Sequence, residues 1–173
     1  LETLVAIAIM SIAIASAFSI APQGLLAARF AKNQIAASFF AQEAFEIVRN
    51  HRDNAWAEAE VEGIDGSVWL SQIPEVCLGE GNKCVVNSVT NEIYDCDDFT
   101  RPPGEDCPRL RYRDASFGRV YGNGASFGVG ESEASIFTRE VEIVRVINEH
   151  ASHPDDDEIA ITVTVKWQDS RIP

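Results

Sequence analysis

The chain has 173 residues, and its 27 acidic and 14 basic side chains give a formal net charge of −13 at neutral pH. That length suits one domain with a core of useful size. The acidic balance argues against a nonspecific nucleic-acid or anionic-lipid surface, because both need concentrated lysine and arginine, and we expect no specific nucleic-acid partner.

The first segment of the chain, residues 1–21, is almost purely apolar, and Glu2 is its only ionisable side chain. About 20 apolar helical residues cross a hydrocarbon core of ~30 Å, so we predict a transmembrane helix within residues 1–24. A cleavable signal peptide would instead begin with basic residues and have a shorter apolar centre. The predicted location is the cytoplasmic membrane, crossed once, with the rest of the chain outside the cytoplasm.

Helix-forming composition continues over residues 25–56, which contain no proline. Pro22 and Gly24 mark a joint between the two halves, because proline lacks a backbone donor and glycine lowers helical preference. The sequence therefore predicts one long helix or two joined helices, with a kink or a locally melted turn at the joint.

The second half of this helix is predicted to be amphipathic. At 100° per residue, one stripe suits packing against a globular domain; it contains Leu26, Phe30, Ala37, Phe40, Ala44, Ile47 and Val48. Ile35 and Phe39 fall outside the stripe. Either neighbouring subunits cover these two side chains, or they are isolated exposed residues of the kind that most proteins carry.

All four cysteines lie between residues 77 and 107. An even number of cysteines beside an export-type apolar segment predicts two disulfides formed in an oxidising compartment. Four cysteines allow three connectivities, and the sequence alone does not select one. We favour sequential pairing, Cys77 with Cys84 and Cys96 with Cys107, because it closes short loops.

Two late segments, residues 137–147 and 159–167, have apolar side chains at every second position and predict antiparallel, core-facing strands. The polar residues 148–158 between them predict a surface loop. Among the arginines between residues 101 and 119, alternating solvent-facing strand positions are favoured over a basic binding patch. The predicted fold class is α+β, with a long N-terminal helix packed on an antiparallel sheet in a disulfide-containing, β-rich head of residues 57–173.

Residues 1–9, which read LETLVAIAI, resemble the start of type IV pilins and of the pseudopilins of type II secretion systems. Glu2 matches the glutamate of that family, and a carboxylate near the start of an apolar helix is costly and rarely accidental. The resemblance implies that Glu2 meets the free amino terminus of a neighbouring subunit during assembly. It also implies that three mature residues and a leader peptide precede Leu1.

The family resemblance implies a pilin-like fold and a structural subunit of a type IV pilus-like extracellular filament. The expected partners are copies of the same chain, prepilin peptidase and the pilus assembly platform. The residues expected to serve assembly are Glu2, Pro22, Gly24, Ile35 and Phe39. Two alternatives remain: a minor pilin or pseudopilin that primes a filament for secretion or DNA uptake, and a membrane-anchored adhesive or binding domain that never polymerises.

No nucleophile with its base, carboxylate pair or metal cluster stands out, so we expect no enzymatic activity and no catalytic residues. His150 and His153 beside residues 155–157 form only a weak metal-ligand pattern. Calcium is the one cofactor left open, since the carboxylates of residues 95–98 or 155–158 offer suitable oxygen ligands without a complete calcium-loop motif.

Overall fold

The computed structural model describes residues 1–62, 69–70, 72–96, 107–116, 118–122, 127, 132–146 and 158–168, without the side chains of residues 17, 19–21 and 62. One helix, α1, is followed by six strands. They are α1 Glu2–Glu62, β1 Cys84–Asn87, β2 Glu92–Asp95, β3 Arg109–Ala115, β4 Gly118–Gly122, β5 Glu133–Val146 and β6 Glu158–Trp167. The chain divides into two compact units, Leu1–Ala36 and Ala37–Pro173, named here the first and the second unit.

Helix α1 is longer and more regular than the sequence suggested. Its helical backbone continues through Pro22 and Gly24, so the predicted melted turn is wrong. Proline removes only one helical hydrogen bond, and strong helix formers follow it at Leu25 and in the alanines beyond. The helix also ends at Glu62 rather than near Trp56, because residues 57–62 alternate alanine or valine with glutamate and contain no breaker.

Within the part of the chain that the structure describes, no helix has an apolar stretch long enough to cross a membrane. The predicted single-pass anchor in the cytoplasmic membrane is therefore wrong.

The six strands form one antiparallel sheet, and the fold class α+β is confirmed. β5 is its central strand, with β1 and β3 along one edge and β6 along the other, since Val141 pairs with both Cys84 and Val163. β2 continues the sheet beyond β1, and β4 continues it beyond β3. The two predicted late strands correspond to β5 and β6 and are confirmed, while the loop between them lies outside the described residues, except Glu158 at the start of β6.

The core of the second unit lies between α1 and the sheet. The helix contributes Ala44, Ile47, Val48 and Ala55, and β5 contributes Val141 and Ile143, all buried in one cluster. Ile159, Ile161 and Val163 of β6 are half-buried against the same cluster. The predicted helical stripe is thus buried from Ala37 onward, whereas Leu26 and Phe30 are exposed.

Two disulfides close this unit, and they have the predicted sequential connectivity. Cys77 at the end of a short 3-10 helix bonds Cys84 at the start of β1, and Cys96 after β2 bonds Cys107 before β3. Both pairs are buried. The arginines of β3 point outward in part, since Arg109 and Arg113 are exposed and Arg111 is half-buried, donating from Nε to Ser132 Oγ at 2.7 Å.

Candidate functional site

The first unit exposes an apolar surface along its helix. Among the described side chains of residues 1–25, ten large apolar ones are between 52% and 99% exposed: Leu1, Leu4, Val5, Ile7, Ile9, Met10, Ile12, Ile14, Phe18 and Leu25. None of the described side chains of this unit is buried. Monomeric proteins in water rarely expose contiguous apolar surface of this kind, and such surface ordinarily marks an interaction site.

The apolar residues surround the helix rather than lining one side. At about 100° per residue, Ile7 and Ile14 lie close together, whereas Ile9 and Ile12 lie near the opposite side. An amphipathic helix that covers one face of its own domain has a polar reverse face. A helix apolar on all sides fits an environment in which several neighbours surround it.

The residues predicted to serve assembly do not converge on a pocket. Glu2 is exposed in the first turn of α1, where the positive end of the helix dipole favours a carboxylate. Pro22 lies 20 residues later, or about 30 Å along the helix axis. Gly24 is also exposed, and a methyl group added there would meet nothing within 4 Å. Assembly through these residues would use an extended surface.

Ile35 in the first unit is 59% exposed, and Phe39 in the second unit is 65% exposed. The second unit also exposes Phe45 and Trp56 of α1, at 47% and 57%. Sequence reasoning missed this aromatic pair, although the helical repeat places the two only about 20° apart around the axis. A partner of α1 in the second unit would therefore meet Phe45 and Trp56 in addition to Phe39.

Arg139 of β5 is a charged side chain in the core of the second unit, with 1% of its surface exposed. Its Nη1 donates to the Phe40 carbonyl oxygen at 3.1 Å and to Glu43 Oε2 at 2.5 Å. Its Nη2 donates to the Val86 carbonyl oxygen at 2.6 Å. One guanidinium therefore joins the central strand, β1 and helix α1.

The electrostatics of this cluster are those of a buried cation. Burial lowers the pKa of Arg139, and the charge and hydrogen bond of Glu43 oppose that shift. Arg139 Nε has no hydrogen-bond partner among the described residues. Because Glu43 remains 39% exposed, water solvates part of the anion. The desolvation cost of the ion pair therefore falls mainly on the buried cation, Arg139.

Sequence reasoning did not select Arg139, yet the sequence holds a signal for it. The residue lies in the same alternating phase of β5 as Phe137, Val141 and Ile143, which were predicted to face the core. A charged residue at an inward position requires partners, because burying it unpaired is costly. An arginine interrupting an apolar phase therefore indicates a buried polar contact.

Among the described residues, no group of three or more histidine, cysteine, aspartate or glutamate side chains is arranged to hold a metal ion. Asp95 ends β2. The other residues considered for calcium or another metal, apart from Glu158 at the start of β6, lie outside the described residues: Asp97, Asp98, His150, His153 and residues 155–157. The calcium hypothesis stays a prediction.

A comparison with protein-family models, with curated proteins and with solved structures finds no match in any of the three. The likeness of residues 1–9 to type IV pilins therefore stays a resemblance carried by that segment.

The buried guanidinium generates a stability prediction. Arg139→Ala should lower the free energy of unfolding by about 2–4 kcal/mol, because it removes charge-assisted hydrogen bonds and leaves two buried carbonyl oxygens with one partner fewer. The measurement is denaturant unfolding of the full chain. Arg145→Ala, an exposed arginine of the same strand, is the matched control and should change stability by less than about 0.5 kcal/mol. Equal losses in both variants would contradict the structural role of Arg139.

Proposed function

We propose that the protein is a structural subunit of a type IV pilus-like filament that assembles through the helix of its first unit. The observation that carries this proposal is the apolar surface surrounding that helix. Transferring ten such side chains from water into a packed interior is worth on the order of 15 kcal/mol. That gain is as large as the upper end of the ~4–15 kcal/mol that association costs in lost translational and rotational freedom.

Copies of the same chain are the partners that fit this surface best. Each copy presents the same apolar helix, and several copies together surround one another as a helix apolar on all sides requires. Ala6, Ala8, Ala13 and Ala15 are small, so neighbouring helix backbones can approach closely. Self-packing also needs no second protein of matching shape.

Glu2 gives such packing its register. In a bundle of apolar helices an unpaired carboxylate costs several kcal/mol, so arrangements that pair it are favoured over those that do not. The pilin resemblance supplies the partner, the free amino terminus of a neighbouring copy. It also supplies prepilin peptidase and the assembly platform as the proteins that process and assemble the chain.

The charge distribution favours contact between copies. Arg29 and Lys32 outweigh Glu2 in the first unit, so the remainder of the chain carries all of the net negative charge. A first unit therefore attracts the acidic part of a neighbour, which offsets the mutual repulsion of chains that are each strongly acidic. Salt should weaken this component and leave the apolar component in place.

The first prediction of the proposal concerns Glu2. Cells producing Glu2→Ala or Glu2→Gln should form at least about tenfold fewer filaments, because loss of one buried ion pair removes more than ~1.4 kcal/mol of assembly energy. Filaments are counted by electron microscopy at matched protein levels. Glu46→Ala, which removes an exposed carboxylate from the same helix, should leave filament numbers unchanged.

Unchanged filaments in both Glu2 variants would refute the register mechanism. A protein present only in trace amounts in purified filaments would instead be a minor pilin or pseudopilin. A chain that stays monomeric under assembly conditions would be a binding domain that does not polymerise.

The second prediction concerns the outward side of α1. Ile35→Ser with Phe39→Ser should reduce filament yield by about tenfold or more, because each exposed apolar side chain loses roughly 1.5 kcal/mol of burial between copies. Stability of the isolated chain should hardly change, since both side chains are already exposed. Val89→Ser is the matched control, because Val89 is an exposed apolar residue in the β1–β2 turn. A yield equal to that of Val89→Ser would exclude this helix face from the interface.

A further inference from the structure

The edge of β6 that faces away from β5 is the second unit's best-defined surface for pairing with another chain. Among the described strands β6 pairs only with β5, through ten consecutive residue pairs from Phe137–Trp167 to Val146–Glu158. The register is constant along the whole ladder, so no bulge interrupts it. A regular strand of this length presents its backbone groups in a straight row.

The hydrogen-bonding phase of that row follows from one contact. Gln168 N donates to the Ile136 carbonyl oxygen at 3.2 Å, just beyond the last pair of the ladder. In an antiparallel ladder the hydrogen-bonded pairs recur at every second residue. The even-numbered residues of β6 therefore bond to β5. The odd-numbered residues 159, 161, 163 and 165 direct their N–H and C=O groups toward the opposite edge.

This edge lacks the devices with which proteins prevent edge-to-edge pairing. β6 contains no proline, and its only charged residues are Glu158 and Lys166 near its two ends. Between them the exposed face carries Ala160, Thr162 and Thr164. Long, uncharged, regular edges are templates for an added strand.

We propose that β6 pairs antiparallel with β6 of a second copy, about a two-fold axis that passes beside Thr162. In this register Ile161 lies opposite Val163 of the second copy, and Ile159 lies opposite its Val165. These odd-numbered residues exchange backbone hydrogen bonds across the new ladder. The result is one sheet that continues through both copies.

Charge complementarity selects this register among those that the hydrogen-bonding phase allows. Pairing about Thr162 places Glu158 of each copy opposite Lys166 of the other, at two symmetric positions. A shift by one pair in either direction moves Glu158 away from Lys166. Both residues belong to non-hydrogen-bonded pairs, in which opposing side chains approach most closely.

Lys166 can serve this contact and keep its contact with Glu140. Its Nζ lies 3.1 Å from Oε1 of Glu140, whose side chain is buried, whereas the Lys166 side chain remains 44% exposed. An ammonium group has three donors, so it can bind a carboxylate of its own chain and one of the second copy. This copy-to-copy contact uses only the second unit, and it is independent of the helical assembly proposed above.

A cysteine cross-link tests the two-fold axis directly. All four native cysteines are in disulfides, so Thr162→Cys adds the only free thiol. In the full chain, kept in mild detergent so that the apolar helix does not drive association, Thr162→Cys should form disulfide-linked dimers on mild oxidation. Ala160→Cys and Thr164→Cys are matched controls. Each lies about 13 Å from its own copy in this register, beyond the reach of a disulfide.

The two control variants should cross-link when mixed with each other, because position 160 lies opposite position 164 of the second copy. Cross-linking of Ala160→Cys alone to the same extent as Thr162→Cys would overturn the register. Failure of Thr162→Cys to cross-link would overturn the pairing itself. The same result is expected if another segment of the same chain covers this edge of β6, and it would refute the pairing equally.

Charge exchange provides the independent measurement. Glu158→Lys alone and Lys166→Glu alone each place like charges opposite one another and should raise the dimer Kd by about tenfold or more. An equimolar mixture of the two variants restores both opposite-charge pairs and should recover dimers, as measured by analytical ultracentrifugation. A mixture no better than either variant alone would refute the contact between Glu158 and Lys166, and circular dichroism checks that each variant is folded.

Discussion

The apolar surface around the helix of the first unit is unfavourable in water unless another molecule covers it, and the rest of the structure depends on this constraint. The first unit contains none of the means that hold the second unit together: its described side chains include no buried residue, and its large apolar groups are exposed. The second unit therefore has to be stable through its own contacts, so that the helix of the first unit remains available for a partner. Its compact core, its two disulfides and the buried guanidinium of Arg139 meet that requirement within one small domain.

Arg139 has a different role from the apolar core that surrounds it. Apolar contacts between a helix and a sheet are weakly directional, and a helix can slide or rotate on them at modest cost. The guanidinium contacts one helix carbonyl, one helix carboxylate and one strand carbonyl at fixed distances. A one-residue shift of α1 would leave a buried cation without those partners, which is far more costly. The polar cluster thus specifies how the helix lies on the sheet within this unit, while the apolar residues supply most of the stability.

The sequence predicted those parts of the fold in which one local rule acts alone. Strict alternation identified β5 and β6, and short loop closure identified the cysteine pairs. It did not reveal β1, whose four residues are all buried and show no alternation, nor the end of α1, where glutamate and alanine continue a helix without a stop signal.

Arg139 was missed because its partners, Glu43 and Val86, come from distant segments that no local pattern connects. The predicted membrane span is wrong, since no helix among the described residues is long and apolar enough to cross a membrane. Of the residues proposed to serve assembly, Glu2, Ile35 and Phe39 can be selected from the sequence, whereas the residues that would contact them in a second copy cannot.

The two surfaces proposed for self-association differ in the physics that would give each its specificity. Burial of the helix of the first unit would give a large but non-directional driving force that hardly fixes how neighbouring helices align. A single carboxylate, that of Glu2, would therefore have to select among many packing arrangements. The edge of β6 offers little apolar area but a strongly directional row of donors and acceptors, whose phase excludes half of all registers before any side chain is considered. Detergent should weaken the first contact and spare the second, whereas salt should act mainly on the charged ends of β6 and on Arg29 and Lys32. A chain with both surfaces would therefore form one strong contact that hardly fixes the alignment of the copies and one weaker contact that fixes it closely. The two together would define an ordered assembly better than either would alone.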